Sequence, residues 1–250
     1  MRYFIHLAYN GLAYHGWQRQ ENAHTVQAEL EKCLSLKMGQ TISLVGCGRT
    51  DTGVHARSFF AHFDIEPDGN EVDSENFLIQ LNRFLPPDIV VYRIFKVPDE
   101  LHARFDAFSR RYRYFLHTKK DAFNPFSYYF PYNLEIDRMN IAAQILLNHA
   151  DFTSFSKLHT QTQTNNCKIE YASWSQCNHQ LVFEITADRF LRNMVRAIVG
   201  SLIEVGLLKR SIADFEALIL AKNRNAAGYS VPAHALFLEE VSYPAGLFKV

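Results

Sequence analysis

The stretch GCGRTDTGVHA, Gly46 to Ala56, decides how the chain is read. It holds three glycines, two threonines, one arginine and one carboxylate, and it lies between the apolar runs TISLV and SFFAHF. A polar, glycine-rich connection between two strands is a place where a fold displays a reactive side chain. Asp51 is at its centre, and Arg49 precedes it by two residues. In extended backbone, residues i and i+2 point to the same side, so the two are candidate neighbours. On spacing alone, the loop reads as a surface hairpin with an ion pair rather than as a reactive site.

Known loop chemistries narrow the choice. Gly48 to Gly53 fits GxxxxG, but Val54-His55 replaces the Lys-Ser/Thr that a phosphate loop uses on phosphate and metal. Gly46 and Gly48 do not continue as GxGxxG, because Asp51 holds the third glycine's place. A displayed carboxylate remains, able to act as nucleophile, general acid or base, or metal ligand. A metal site needs more oxygen ligands nearby, and a two-carboxylate glycosidase needs a second acid that spacing does not select. An ionised Asp is favoured by an adjacent arginine, which Arg49 or the segment FLRNMVRAIVGSL supplies.

Moving outward, Arg2–Tyr9 reads as a strand, and Thr25 is an N-cap for a helix over 26–37 with Val26, Leu30, Cys33 and Leu34 on one face. Strands are expected over 41–46 and 57–65, the latter with Phe59, Ala61, Phe63 and Ile65 on one side. A helix over 74–85 ends at Pro86-Pro87, and 89–95 is a strand. The first hundred residues thus run β-α-β-β-α-β, a ferredoxin-like, split βαβ signature. Further on, strands are expected at 110–117, 168–175, 180–186 and 237–241. Helices are expected at 138–148, with Ile141, Ala142, Ile145 and Leu146 inward, and at 190–205. Ser211 begins another helix, with Asp214 at the capping-box position. The reading is α+β with two domains, 1–105 and 106–250.

Composition limits function. The 250 residues are 48% apolar and carry 26 basic and 26 acidic side chains, an ordinary globular balance. No apolar run reaches the length of a membrane span, and the first residues read as a strand rather than a signal peptide, so a cytoplasmic location is expected. Cys33, Cys47, Cys167 and Cys177 make no CxxC pair, which argues against zinc and leaves reduced thiols as the expectation. The acids of 64–75 (Asp64, Glu66, Asp68, Glu71, Asp73, Glu75) read as a solvated face. Residues 102–120 carry six bases against Asp106 alone, so a basic face is compatible with zero net charge. Within them, SRRYRYFL interleaves aromatic and arginine side chains, which suits a stacked RNA base beside phosphate contacts, while an ordinary strand with a core tyrosine is the better reading for at least one of Tyr112 and Tyr114. Arg192 and Arg196, four apart, are expected along one side of the 190–205 helix, with Arg196 at the edge of its buried face.

GRTDTGVHA resembles the signature of the TruA-type tRNA pseudouridine synthases. YNGLAYHGWQRQ (9–20), TVQAELE (25–31), LNRFLPPDI (81–89), FDAFSRRYRYF (105–115), HADFTSFSK (149–157), FLRNMVRAIVG (190–200) and AGYSVPAHALFLEEV (227–241) resemble family segments in the same order. The resemblance implies two ferredoxin-like, RRM-like α+β domains sharing a central antiparallel sheet with the active-site cleft between them. It implies a homodimer that isomerises uridine in the anticodon stem-loop of tRNA (positions 38–40) without metal or organic cofactor. A non-catalytic RNA-binding module of the same fold is the alternative. By position, Asp51 matches the catalytic aspartate, Arg49 the arginine that helps the target base leave its stack, and Tyr112 the tyrosine on the target ring. Arg196 matches the arginine that pairs with the catalytic Asp, and Leu236 an apolar contact in the site floor. Arg110, Arg111, Arg113 and Arg192 are candidate phosphate contacts, with Lys209 and Arg210 weaker ones. Thr52, Asn10 and Ala235 depart from the residues common in the family, Ala, Asp and Gly, and leave fine site geometry open.

Overall fold

The computed structural model describes residues 1–66, 72–157, 164–244 and 246. It is mixed α+β with mostly antiparallel strands, and it divides into two compact units, Met1–Phe108 with Leu238–Val250, and Ser109–Phe237. Among the described residues, no helix is long and apolar enough to cross a membrane.

The first unit follows the β-α-β-β-α-β order: β1 (Arg2–Tyr9), α1 (Val26–Met38), β2 (Val45–Gly46), β3 (His55–Asp64), α2 (Glu75–Phe84) and β4 (Ile89–Val97). Both neighbours of β1 are antiparallel to it, with Phe4 opposite His62 on β3 and Phe95 on β4. With β2 paired on β3, the strands lie in the order β4-β1-β3-β2, the split βαβ arrangement. Strand β9 (Leu236–Ser242) also lies beside β3. Being central, β3 is covered on both faces: Phe59, Ala61 and Phe63 are buried on one, Phe60 and His62 on the other. The Thr25 hydroxyl accepts from the Ala28 N–H, and Val26, Leu30, Cys33 and Leu34 are buried, as their spacing predicts.

The strand expected over 41–46 shrinks to Val45–Gly46. Ile42 and Leu44 are still buried, but side chains of α1 take the Leu44 backbone groups: Gln27 Nε2 donates to its carbonyl and Glu31 accepts from its N–H, each at 2.9 Å. Asp64, Glu66, Asp73 and Glu75 are exposed, as expected of a solvated face, and Asp64 in addition accepts from Arg2 on both oxygens at 2.8 and 2.9 Å. Asp68 and Glu71 of that acidic run lie outside the described residues.

The second unit contains β5 (Ser109–His117), β6 (Tyr128–Tyr129), α3 (Ile136–Ile145), β7 (Ile169–Cys177), β8 (Gln180–Ala187), α4 (Met194–Gly206) and α5 (Ile212–Leu220). Its strands lie in the order β5-β8-β7, with β6 parallel to β5 and a two-residue hairpin joining β7 to β8. Ser211 and Asp214 make the reciprocal capping box at the start of α5. Two expectations are corrected. Ile141 is exposed, because α3 turns Met139, Ala142 and Ala143 inward, with Leu146 buried in the short turn that follows it. The helix expected from Phe190 starts at Met194, because Asn193 adopts a left-handed conformation, φ 66°, that no α-helix continues through. Arg192 therefore precedes α4 and does not share a helical face with Arg196.

Candidate active site

In the first unit, the segment from Tyr9 to Gln20 cradles the loop between β2 and β3. The Tyr9 hydroxyl is 2.8 Å from Thr50 Oγ1, and Trp17 N donates to the Thr50 carbonyl at 3.3 Å. Val54 N donates to the Asp51 carbonyl at 3.1 Å, and Gly53 N to the Tyr14 carbonyl at 3.3 Å, which closes a tight turn beyond Asp51. Gly11 N donates to Nδ1 of buried His55 at 3.1 Å.

The two chain segments approach too closely for side chains. A Cβ at Gly11 would stand 2.0 Å from the Val54 carbonyl oxygen. At Gly16 it would stand 2.4 Å from the Thr50 carbonyl oxygen, and Gly16 has φ +87°, where an L side chain is strained. Tyr14 is buried and donates to Asp88 Oδ1 at 2.6 Å. Burial first, and the carboxylate second, raise its phenol far above the ordinary range, so it stays a neutral donor.

Backbone contacts therefore fix Asp51, half-buried at the start of this turn, while Thr52 is exposed. Asn10 accepts from Leu12 N at 3.1 Å and caps the short 3-10 turn Gly11–Ala13. An Asp there has the same acceptor, so this departure from the family leaves the cradle intact. Cys47 is buried, and its thiol accepts from Phe60 N, a packing role beside the turn. Arg49 is exposed and does not pair with Asp51: its Nε donates to Gln18 Oε1 at 3.2 Å. Gln18 was absent from the sequence-derived site. Its one signal was membership of the WQRQ run, which carries no chemistry until Arg49 is seen against it.

In the second unit, β5 puts Arg110, Tyr112 and Tyr114 on one face and Arg111 and Arg113 on the other. Tyr114 is the core tyrosine, fully buried, with its hydroxyl 3.1 Å from the Pro232 carbonyl. Tyr112 is half-buried and meets the Phe190 ring edge-on at 5.2 Å. Arg110 Nη1 donates to the Asp188 carbonyl at 2.8 Å, and Arg113 pairs with Glu184 directly across on β8.

Arg196 is half-buried at the edge of the apolar face of α4, and its Nε donates to the Val231 carbonyl at 2.7 Å. The segment 228–231 that supplies this acceptor packs hard on α4: a Cβ at Gly200 would stand 1.9 Å from the Tyr229 carbonyl oxygen. Asn193 Nδ2 also donates to Ser230 Oγ at 2.6 Å. Leu236 is buried at the start of β9, and Ala235, before it, is fully buried. Arg192 is exposed. Arg210 is committed to Glu204 and to the Ala226 carbonyl, a bracing role within this unit.

Among the described residues, no group of three or more His, Cys, Asp and Glu side chains is placed to hold a metal ion.

Residues 142–244 match the family model described as tRNA pseudouridine synthase. The chain is 54% identical to the tRNA pseudouridine synthase A of Parabacteroides distasonis over 252 residues, covering 100% of this chain and 98% of that protein. It is 51% identical to that of Porphyromonas gingivalis, covering 99% of each chain. A more distant relative, from Psychromonas ingrahamii, is 38% identical over 98% of this chain and 94% of its own.

Proposed function

Because the chain belongs to the tRNA pseudouridine synthase A family, an isomerase family that converts uridine in tRNA to pseudouridine, we propose that Asp51 is its catalytic residue and that its target is the anticodon stem-loop, positions 38–40. We place the reaction in a homodimer.

The isomerisation breaks the bond from C1′ of the ribose to N1 of the uracil and forms one from C1′ to C5. The proton on C5 leaves and N1 gains one, so no oxidant, reductant or second substrate is consumed. Asp51 has two routes to this outcome. It attacks C1′ and holds the sugar while the base turns, or it removes the C2′ proton and leaves a glycal that the turned base re-enters. On either route it is also the economical base for the C5 proton. A uridine stacked in a stem must first leave the stack, at a cost of a few kcal/mol. Arg49 is the residue assigned to that step. Tyr112 stacks on the target ring, Leu236 gives it an apolar floor, and Arg196 keeps Asp51 ionised and oriented. Arg110, Arg111, Arg113 and Arg192 take phosphates.

One observation supports this reading above the rest: the Asp51 carboxylate is carried on a turn whose backbone is held by Tyr14, Trp17 and the side-chain-free approach of Gly11 and Gly16. A carboxylate that must meet a sugar carbon gains from such pre-organisation. The test is Asp51→Ala on unmodified tRNA, with pseudouridine mapped by position. The rate is expected to fall by at least about 10³-fold while tRNA affinity stays within a few-fold. Turnover at the wild-type rate would overturn the assignment, and pseudouridine elsewhere in the tRNA would overturn the target.

A further inference from the structure

A line of hydrogen bonds runs from the buried face of α1 to Arg49, and its direction is fixed by chemistry. Glu31 and Gln27 are 4% and 7% exposed, so neither is answered by bulk water. Glu31 Oε2 accepts from Arg19 Nη1 at 2.8 Å, and Oε1 accepts from Leu44 N and Gln27 Nε2, each at 2.9 Å. The Gln27 amide nitrogen has a second acceptor in the Leu44 carbonyl, also at 2.9 Å.

A carboxylate and a carbonyl only accept, so the Gln27 nitrogen must face them and its oxygen must face away. That oxygen accepts from Arg19 N at 3.0 Å and from Gln18 Nε2 at 2.9 Å. Gln18, having turned its nitrogen toward Gln27, presents its oxygen to Arg49 Nε at 3.2 Å. An amide turned the other way would present N–H to N–H. The polarity set by Glu31 and Leu44 is thus carried through two amides to a guanidinium on the loop of Asp51.

We infer that Gln18 is a positioning residue for Arg49, oriented by the buried pair Gln27 and Glu31. This rests on the reading of Arg49 as the residue that helps the target base leave its stack. Arg49 is exposed, and an exposed arginine samples many rotamers. The bond to Gln18 is the hydrogen bond its side chain makes among the described residues. The bond engages Nε and not the terminal nitrogens of the guanidinium. The same network ties the Trp17–Arg19 cradle to the segment leading into the reactive loop, since Gln27 binds Arg19 N and the Leu44 carbonyl at once.

The experiment is a double-mutant cycle of Gln18→Met and Arg49→Ala on unmodified tRNA. Single-turnover pseudouridine formation, tRNA affinity and melting temperature are measured for each variant. Gln18→Met is expected to slow the single turnover by about tenfold, with tRNA affinity and melting temperature close to wild type. In the Arg49→Ala background it is expected to add nothing, because the group it positions is gone. Gln18→Ala gives the same comparison if the Met variant shifts the melting temperature. A slow Arg49→Ala with a further, multiplicative loss on adding Gln18→Met would overturn this inference alone. So would a Gln18→Met variant at the wild-type rate. An Arg49→Ala variant at the wild-type rate would overturn the role proposed for Arg49, and this inference with it.

Discussion

His62 shows what the interior of the first unit demands of one side chain. It is buried on β3, with Nδ1 accepting the Ala103 N–H at 3.1 Å. The acceptor must be an unprotonated nitrogen, so the neutral tautomer with its proton on Nε2 is the one that fits. Burial, the nearby Arg2 guanidinium and His102 lower its pKa to about 4, against a weaker opposing pull from Asp64. The unfolded chain therefore takes up this proton near the ordinary value, before the folded chain does. The stabilisation is complete above about pH 6.5 and drains as pH falls towards 4, by on the order of 3 kcal/mol for this one group. His62→Asn keeps an oxygen near the place of Nδ1 but does not titrate. Denaturant unfolding between pH 7 and 4 should show a shallower decline for the variant than for the wild type, whatever its stability at pH 7. Equal declines would remove His62 as the cause. Burial of this residue was foreseeable only in part: the alternation of β3 put Phe59, Ala61 and Phe63 inward, and nothing in it showed that the opposite face is covered as well.

Among the elements, the contact between the Tyr9–Gln20 segment and the reactive loop matters most. Both were visible as unusual sequence, and their mutual packing was not. Its tightest points are backbone against backbone, where no side-chain pattern leaves a trace. Gly16→Ala tests it. The substitution adds a methyl 2.4 Å from the Thr50 carbonyl oxygen at φ +87°, and a strained backbone of this kind costs on the order of 1–3 kcal/mol. We expect a lowered melting temperature and a single-turnover rate reduced more than tRNA affinity, because the displaced atoms adjoin Asp51. A variant with wild-type stability and rate would show that the cradle does not hold the turn. Elsewhere, short-range signals were sufficient. The Thr25 cap, the Ser211–Asp214 box and the buried stripe of α1 follow from residues within one or two turns of each other. The start of α4 does not, because only the folded chain shows Asn193 tied to Ser230 and turned out of helical conformation.

Over the whole molecule, 26 basic and 26 acidic side chains cancel, so affinity for a polyanion must come from local arrangement. If Arg110, Arg111, Arg113 and Arg192 each neutralise one phosphate, a plot of log Kd for tRNA against log salt should have a slope of about 3. Arg113 is half-buried against Glu184, whereas Arg192 is exposed to the ionic atmosphere. Arg192→Ala should therefore lower that slope more than Arg113→Ala does. A salt-independent Kd would remove all four from the interface.

The sequence by itself determined the α+β class, the β-α-β-β-α-β order of the first unit, the family and the loop that carries Asp51. These rest on periodicity, turn chemistry and motif, all written in neighbouring residues. Only the tertiary structure decided that Leu44 spends its backbone groups on α1 rather than on a strand, that Ile141 faces solvent, and that Arg49 turns to Gln18 rather than to Asp51. The physical reason is distance along the chain. The buried Leu44 groups must be satisfied and α1 satisfies them, Met139, Ala142 and Ala143 occupy the covered side of α3 in place of Ile141, and the acceptor that Arg49 finds lies 31 residues away in Gln18.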